Sequence, residues 1–308
     1  MKAAILGAAG FLGMELGSRL LEAGWEVFGY DVVVPDRSLP GLRFAAFDVL
    51  CDHLALPPGI DAVYYFSQSP HYRDFPDAAD HLFGVNTLGA IRAAQAAVAA
   101  RTGFFCYTST GNVYAPSFAP MAESHPVRRD DPYALSKLAA EEALALFGGR
   151  MPVLAVRLFG LFGPGQKRML PANLLARLRS GQEIVLEPSP GESGETDGLV
   201  VSFTYVADAA RLLEQLAQRA LAGTPLPAVL NVAGPEPVSI RRFSLELGRA
   251  TGIAPKFVRA STERRHDLIA DLARLNSLVG PQWTPLSEAV APMCQEEPAS
   301  AGGTVPCR

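Results

Sequence analysis

The sequence predicts an α/β protein built on a doubly wound parallel sheet with helices on both faces. Short apolar runs typical of buried strands alternate with helical patterns along the chain. A glycine-rich turn joins the first strand to the first helix, and an acidic residue closes the second strand. Strands of the sheet are predicted at 2–6, 25–30, 43–49, 61–66, from 104, from 153 and at 230–234.

Composition and charge narrow the class of protein. The chain has 308 residues, of which 49% are hydrophobic and 19% charged, with a net charge of −4. This is typical of a globular chain with a sizeable core. The small charge and the lack of a long basic run argue against a nucleic-acid or membrane-surface partner, and no apolar stretch is long enough to span a membrane. Because the cysteines lack C-x-x-C spacing, we expect reduced thiols, no metal site and a cytoplasmic protein. These cysteines are Cys51, Cys106, Cys294 and Cys307.

The first turn has the glycine spacing G-x-x-G-x-x-G. In a dinucleotide-binding turn, Gly7 would permit the tight bend, Gly10 would let the backbone approach a pyrophosphate, and Gly13 would allow close packing of the helix. The phosphates would then lie at the positive N-terminus of that helix. The candidate cofactor-binding residues of this turn are Gly7, Gly10, Phe11, Leu12 and Gly13.

Asp31 closes the second strand, 18 residues after Gly13. A carboxylate at this position can accept hydrogen bonds from the adenosine ribose hydroxyls. The same charge repels a 2′-phosphate, so the sequence favours NAD over NADP as the cofactor.

Tyr133 and Lys137 stand four residues apart in a segment with strong helix-forming residues. On a helix they lie on one face, one above the other. An ammonium group close to a phenol favours the phenolate, so Lys137 is expected to lower the pKa of Tyr133 and make it a usable base. An isolated Y-x-x-x-K also occurs on ordinary amphipathic helices. A catalytic role is favoured here because a glycine turn lies upstream and a hydroxyl residue lies between that turn and Tyr133.

The glycine spacing together with Tyr133 and Lys137 resembles the short-chain dehydrogenase/reductase superfamily. The chain length, the position of Asp31 and later motifs narrow the resemblance to the extended branch, the NAD-dependent epimerase/dehydratase family, which acts mostly on nucleotide sugars. The resemblance runs from about residue 1 to residue 290. It implies a Rossmann-type fold, NAD as cofactor, a nucleotide-sugar substrate and a homodimer that pairs the helix at 77–100 with the Tyr133 helix.

The resemblance also implies a division into two domains. Residues 1–165 with 203–234 would form the NAD-binding domain, and residues 166–202 with 235–298 a smaller substrate-binding domain. Residues 299–308 are expected to be a disordered tail.

Several site residues follow from the resemblance. Thr110 would align the substrate hydroxyl beside Tyr133, and its neighbour Ser109 is an alternative donor. Lys137 would also bind the nicotinamide ribose. Asp48 and Val49 would contact the adenine, although a plain surface aspartate at a strand end explains Asp48 equally well.

The loop after the strand at 61–66 should line the cofactor crevice, because loops at the carboxyl ends of parallel strands do so. Phe66, Ser67 and Gln68 are therefore candidate cofactor contacts. The polar residues here depart from the small residues that are usual in the family. Asn86 is expected to brace the site or the adjacent strand.

The substrate side resembles the family less closely. Asn173 is a candidate sugar or phosphate contact, or equally a helix cap. The arginine that commonly grips the diphosphate is replaced by Val201. Arg264 and Arg265 resemble a second phosphate-binding arginine of the family, although adjacent surface arginines are often simply solvated.

The absence of two sets of acidic residues favours epimerisation over elimination or decarboxylation. Family members that eliminate water or decarboxylate usually carry acids after the threonine or shortly before the tyrosine, and this chain has Gly111 and Asn112 after Thr110. We therefore expect epimerisation through a transient ketone at one sugar carbon, with C4 the expected position. The alternatives are a net NAD-dependent dehydrogenase or ketoreductase on a sugar or non-nucleotide substrate and, ranked last because Tyr133 and Lys137 are both present, a non-catalytic NAD-sensing protein.

Overall fold

The computed structural model describes residues 1–35 and 39–295. A seven-stranded parallel sheet forms its centre, and it confirms the predicted fold class. The strands, in chain order, are β1 (Lys2–Leu6), β2 (Glu26–Asp31), β3 (Leu42–Ala46), β4 (Ala62–Tyr65), β5 (Phe104–Thr110), β6 (Val153–Leu158), β7 (Leu161–Phe162), β8 (Ile184–Leu186), β9 (Val200–Val201), β10 (Thr204–Tyr205), β11 (Val229–Val232), β12 (Val238–Ser239) and β13 (Phe257–Arg259). The main sheet has the order β11-β6-β5-β4-β1-β2-β3, so the strand order reverses between β1 and β4.

The helices are α1 (Phe11–Glu22), α2 (Ala79–Phe83), α3 (Ala90–Ala99), α4 (Pro132–Ala145), α5 (Met169–Arg179), α6 (Val206–Leu221), α7 (Ile240–Thr251), α8 (Ala273–Leu278) and α9 (Leu286–Gln295). A π-helical turn, Gly84–Gly89, joins α2 to α3. The predicted helix at 77–100 is therefore interrupted by a wider turn, which places Asn86 inside the fold. No helix within the described ranges is both long and apolar enough to cross a membrane.

The sheet is covered on both faces because side chains alternate along each strand. In β1, Ala3 and Ile5 pack on the core beneath α1 and α6. Ala4 and Leu6 point the other way and pack with apolar residues of α3 and α4. This is the doubly wound arrangement that the sequence predicts.

A third apolar cluster lies outside the main sheet and joins α5, α7 and α9 with β8. Its position agrees with the expected smaller domain, whose exact division stays a prediction. The segment around α8 packs elsewhere, since Leu275 and Val279 lie in the core of the main sheet. That segment was expected in the smaller domain, but it covers the edge strand β11 instead. The expected tail at 299–308 lies outside the described residues.

One predicted strand boundary and one possible helix cap are wrong. The third strand ends at Ala46, so Asp48 lies in the turn that follows rather than in the strand. The helix that contains Asn173 begins at Met169, with Arg168 at its N-cap. Asn173 is thus in the second turn of α5 and does not cap that helix.

Candidate active site

Five chain segments meet at one edge of the main sheet. Because β1 to β5 are parallel, their carboxyl ends lie at the same edge. The glycine turn follows β1, Asp31 ends β2, Asp48 follows β3, Gln68 follows β4, and Thr110 ends β5. The strand order reverses beside β1, and such reversal points form the ligand crevice of open α/β sheets.

The glycine turn has a shape that fits a pyrophosphate. Gly7 has a φ of +86°, and a β-carbon there would lie 2.7 Å from backbone atoms of Phe66 and Ser67. A β-carbon at Gly13 would collide with the carbonyl oxygen of Gly7. Gly10 is the exposed N-cap of α1, and no side chain of the described residues caps this helix. An open helix N-terminus lined by backbone N–H groups is suited to an anion.

Phe11 and Leu12 are the first two residues of α1, and their side chains pack on the core. A contact from them to a cofactor would therefore use backbone N–H groups. The Asp31 carboxylate accepts a hydrogen bond from the backbone N–H of Ala9 at 2.9 Å, which ties the end of β2 to the glycine turn. Since a carboxylate can accept several hydrogen bonds, Asp31 remains able to bind ribose hydroxyls.

Asp48 is close to Asp31 along the same edge, because the N–H of Phe47 donates to the carbonyl oxygen of Asp31 at 2.9 Å. The Asp48 carboxylate accepts a hydrogen bond from the N–H of Leu50 at 2.8 Å. Val49 is buried in the core on the α3 side. Asp48 therefore stabilises its own turn, and its contact with adenine stays a prediction.

The start of α4 places Tyr133 at this edge. Asp131 caps the helix by accepting from the N–H of Ala134 at 2.8 Å. The Tyr133 hydroxyl donates to Oε1 of Gln68 at 3.0 Å. The hydroxyl of Thr110 lies close enough to lower the pKa of Tyr133, against the larger effect of burial. Thr110, Tyr133 and the loop after β4 are thus brought together as the sequence predicts, and their catalytic roles stay predictions.

The expected effect of Lys137 on Tyr133 depends on the pKa values of both residues. The Lys137 amine donates to the carbonyl oxygen of Thr108 at 2.9 Å. Burial lowers the pKa of Lys137 to about 7, and the charge of Glu141 opposes that shift. Burial likewise raises the pKa of Tyr133 above its ordinary value, against the lowering effect of the Thr110 hydrogen bond. Burial therefore dominates the pKa of both residues here, and the prediction that Lys137 lowers the pKa of Tyr133 stays a prediction.

Asn86 braces the site from the π-helical turn. Its Oδ1 accepts from the N–H of Ser69 at 3.0 Å, and its Nδ2 donates to Oγ of Ser136 at 2.9 Å. The Ser136 hydroxyl donates in turn to the carbonyl oxygen of Tyr133 at 2.8 Å. One fully buried amide thus connects the loop after β4 with the start of α4.

A buried ion pair beneath the site was missed by the sequence analysis. Glu141 and Arg157 are both almost fully buried, and Nη2 of Arg157 lies 2.5 Å from Oε2 of Glu141. The Ser109 hydroxyl donates to the same carboxylate. Ser109 is therefore held by Glu141 rather than offered to a substrate, which corrects its expected role. The spacing of Glu141, four residues after Lys137, indicates a shared helix face but does not point to Arg157 on β6 as the partner.

Tyr72 is a second residue that the sequence analysis missed. Its ring centroid lies 5.4 Å from that of Tyr133. Its hydroxyl approaches the sulfur of Met169 at 4.0 Å, so the first turn of α5 lies beside the site. A tyrosine in a polar loop carries no sequence signal of such packing.

The expected phosphate-binding arginines are arranged differently from each other. Arg264 is largely buried and pairs with Asp267 at 2.9 Å and with Glu192 at 3.5 Å. Its charge is already matched by carboxylates, which contradicts a role as a free phosphate ligand. Arg265 and Asn173 are exposed, and their contacts with a substrate stay predictions.

The position of the missing arginine is filled by apolar packing. Val201 is buried in the core of the smaller domain and pairs with Val238. A β-carbon at Gly160 would lie 2.7 Å from Val201, so the two positions are closely packed. Val201 therefore offers only a buried apolar side chain at this position. Separately, no cluster of potential metal ligands occurs among residues 1–35 and 39–295.

Comparisons with known proteins agree with this geometry. The uncharacterized UDP-glucose epimerase YtcB of Bacillus subtilis (strain 168) is 23% identical over 260 residues, which cover 78% of this chain and 79% of the relative. The dTDP-6-deoxy-L-talose 4-dehydrogenase (NAD(P)(+)) of Kitasatospora kifunensis is 29% identical over 266 residues, covering 80% and 77%. The solved structure of MoeE5 in complex with UDP-glucuronic acid and NAD is 25% identical, with a TM-score of 0.76, and the match covers 96% of this chain and 98% of that one.

These similar proteins carry names of different reactions, so they do not decide the reaction of this chain. The model of the NAD dependent epimerase/dehydratase family matches residues 3–233. This range contains the glycine turn, Asp31, Thr110, Tyr133 and Lys137. The chain therefore belongs to the NAD dependent epimerase/dehydratase family, a family of enzymes that use NAD.

Proposed function

We propose that the protein oxidises and re-reduces one carbinol carbon of a nucleotide sugar, inverting its configuration. The observation that supports this most strongly is that Tyr133, hydrogen-bonded to Gln68 of the loop after β4, lies at the same sheet edge as Thr110 and the glycine turn. A proton acceptor and a hydroxyl donor then face the crevice where the nicotinamide end of a bound dinucleotide would lie. When bound, NAD+ supplies a hydride acceptor and a positively charged ring.

The residues of this chain account for the proton transfers. Tyr133, as phenolate, would accept the proton of the substrate hydroxyl while the carbon loses a hydride. Thr110 would hold the substrate oxygen in line and, by its hydrogen bond to Tyr133, favour the phenolate. After the ketone turns, Tyr133 as phenol would return the proton to the substrate oxygen, which restores the alcohol with the opposite configuration. Burial raises the pKa of Tyr133, which favours this return step and opposes the phenolate of the first step. A charged Lys137 and the positive ring of bound NAD+ would favour that phenolate.

We infer that Lys137 contributes to cofactor binding, because its amine lies next to the strand that ends at Thr110. Its amine is held at the carbonyl oxygen of Thr108, two residues before Thr110. We infer that the amine binds the ribose next to the nicotinamide, as the resemblance implies. Binding there would add hydrogen-bond acceptors around the amine and thereby favour its charged form.

A second function is favoured by the substrate side of the molecule. Arg264 is paired with Asp267 and Glu192, and Val201 is buried in apolar surroundings. Both features favour a substrate without a diphosphate. The second candidate is therefore a net NAD-dependent dehydrogenase or ketoreductase on a sugar or another hydroxylated substrate.

One assay separates these reactions. The NAD-loaded protein is mixed with UDP-glucose or UDP-galactose, the epimer is followed by NMR, and NADH by absorbance. An epimerase produces the second sugar without net NADH, whereas a dehydrogenase accumulates NADH in step with product. Loss of a general base should slow either reaction by roughly 10²- to 10⁴-fold in Tyr133→Phe. Undiminished turnover in that variant would contradict the proposal.

We further infer a homodimer through the face of α3 and α4, which pack side by side. Leu88 and Leu146 are large exposed apolar residues next to these helices. Light scattering should give twice the chain mass, and Leu146→Glu together with Leu88→Glu should give monomers. A monomeric parent protein would contradict this inference.

A further inference from the structure

The loop after β4 contacts the Tyr133 hydroxyl directly. Oε1 of Gln68 accepts a hydrogen bond from the Tyr133 hydroxyl at 3.0 Å. Gln68 is exposed, so its amide lies at the mouth of the site and has room to turn. The expected contact of Gln68 with the cofactor stays a prediction, and the contact with Tyr133 gives this residue a second task.

The distance between Gln68 and Tyr133 is set by buried hydrogen bonds. Ser69, the next residue, is fully buried, and its N–H donates to Asn86. Asn86 also holds Ser136, whose hydroxyl binds the backbone of Tyr133. The two main-chain segments therefore cannot shift independently, and the Gln68 side chain is aimed at the phenol.

The same loop also holds the Tyr133 ring. Tyr72 packs on it with a centroid distance of 5.4 Å and an interplanar angle of 52°. Contacts from Gln68 to the hydroxyl and from Tyr72 to the ring fix both ends of the side chain. Displacing a reacting group by about 1 Å can cost roughly 10²-fold in rate, so such support has a catalytic consequence.

An amide suits a tyrosine that both accepts and returns a proton. Through its oxygen, Gln68 accepts a hydrogen bond from the neutral phenol. After a half-turn of the terminal amide, its NH2 group donates to the phenolate. A carboxylate could only accept, and an ammonium could only donate.

We propose that Gln68 is a positioning residue that holds Tyr133 in both protonation states and turns its amide as the proton moves. The proposal rests on the proposed role of Tyr133 as the proton acceptor. Gln68 would thereby keep the phenolic oxygen next to Thr110 throughout the reaction.

The test is a direct titration of residue 133. Difluorotyrosine, which is more acidic than tyrosine, is incorporated at position 133 in the full chain, and its ionisation is followed by ¹⁹F NMR without substrate. Gln68→Glu should raise the titration midpoint by about one pH unit, and Gln68→Lys should lower it, because like and opposite charges act on the phenolate in opposite directions. Tyr72 and Asp131, the other ionisable groups that act on Tyr133, are unchanged in every variant.

The exposed Gln182 provides matched controls. Gln182→Glu and Gln182→Lys carry the same charge changes and should leave the midpoint where it is. Equal midpoints in the Gln68 and Gln182 variants would overturn the proposal. With UDP-galactose as the probe, Gln68→Leu should lower kcat about 10-fold, the upper range for one lost hydrogen bond, with KM unchanged.

The two proposals fail separately. Shifted midpoints combined with full turnover in Tyr133→Phe would overturn the proposed function and leave the coupling of Gln68 to Tyr133 established. Unshifted midpoints combined with inactive Tyr133→Phe would overturn only the role of Gln68.

Discussion

The amine of Lys137 donates a hydrogen bond to the carbonyl oxygen of Thr108 at 2.9 Å, inside the fold. The Lys137 side chain, which can carry a positive charge, is therefore buried. Burial lowers the pKa of Lys137 to about 7. The protein therefore retains an ionisable group whose charged form opposes folding.

The difference in free energy of unfolding between Lys137→Met and the parent protein should depend on pH. It should favour the variant more at low pH than at high pH. Below pH 7, Lys137 is charged in both states and the folded protein bears the full cost of burying the charge, at most about 5 kcal/mol. Between pH 7 and the ordinary pKa of 10.5, the unfolded chain binds more protons than the folded one, so stability rises with pH. Urea unfolding of both proteins at several pH values between about 6 and 10 measures this difference.

Lys256→Met is the control for this experiment, because Lys256 is exposed. Its effect on the free energy of unfolding should be the same at each pH. If the difference between Lys137→Met and the parent were also constant with pH, Lys137 would not be a buried group of lowered pKa.

Gly13→Ala should weaken both the fold and NAD binding. The added methyl would collide with the Gly7 carbonyl oxygen and lie 2.9 Å from the Ala8 backbone, so α1 must move away from the turn. Overpacking of this kind costs roughly 1–3 kcal/mol. Thermal unfolding and NAD titration calorimetry measure the two effects. Gly149→Ala, where a β-carbon meets nothing within 4 Å, should change neither.

Glu141→Gln should be strongly destabilising because it leaves Arg157 buried without its charge partner. Removing one member of a buried pair costs roughly 3–5 kcal/mol. The double variant Glu141→Met with Arg157→Met should lose less free energy of unfolding than the sum of the losses in Glu141→Met and Arg157→Met alone. Additive free energies of unfolding would show that the two residues do not interact.

The stability of the protein should respond differently to replacement of Arg264 and of Arg265 by methionine. Arg264→Met leaves Asp267 buried without its partner and should cost about 3 kcal/mol of stability. Arg265 is exposed, so Arg265→Met should change stability by less than about 0.5 kcal/mol. Calorimetry with UDP tests whether Arg265 binds a phosphate. Weaker UDP binding only in Arg265→Met would assign Arg265 to the phosphate. Equal UDP binding in both variants would favour a substrate without a diphosphate.

The sequence predicted the features that depend on local patterns. Gly7, Gly13 and Asp31 occupy their expected places because turn geometry and strand ends are set by residues close in the chain. Tyr133 and Lys137 share one helix face because their spacing matches the helical period.

Features that depend on distant contacts were not predictable from the sequence. The partners of Arg264 include Glu192, which is far away in sequence. The lowered pKa of Lys137 follows from its depth in the fold, which spacing alone does not reveal. The contact of Gln68 with Tyr133 requires the π-helical turn around Asn86, and no single residue type indicates such a turn.

A crystal structure of this chain with NAD+ tests the central claim most directly. We expect the pyrophosphate at Gly10, the adenosine ribose at Asp31, and the nicotinamide ring facing the Tyr133 hydroxyl. Between ring and hydroxyl there should be room for one carbinol group, with reacting atoms about 3–3.5 Å apart. A nicotinamide ring bound away from Tyr133, or a pyrophosphate bound elsewhere than the glycine turn, would contradict the account.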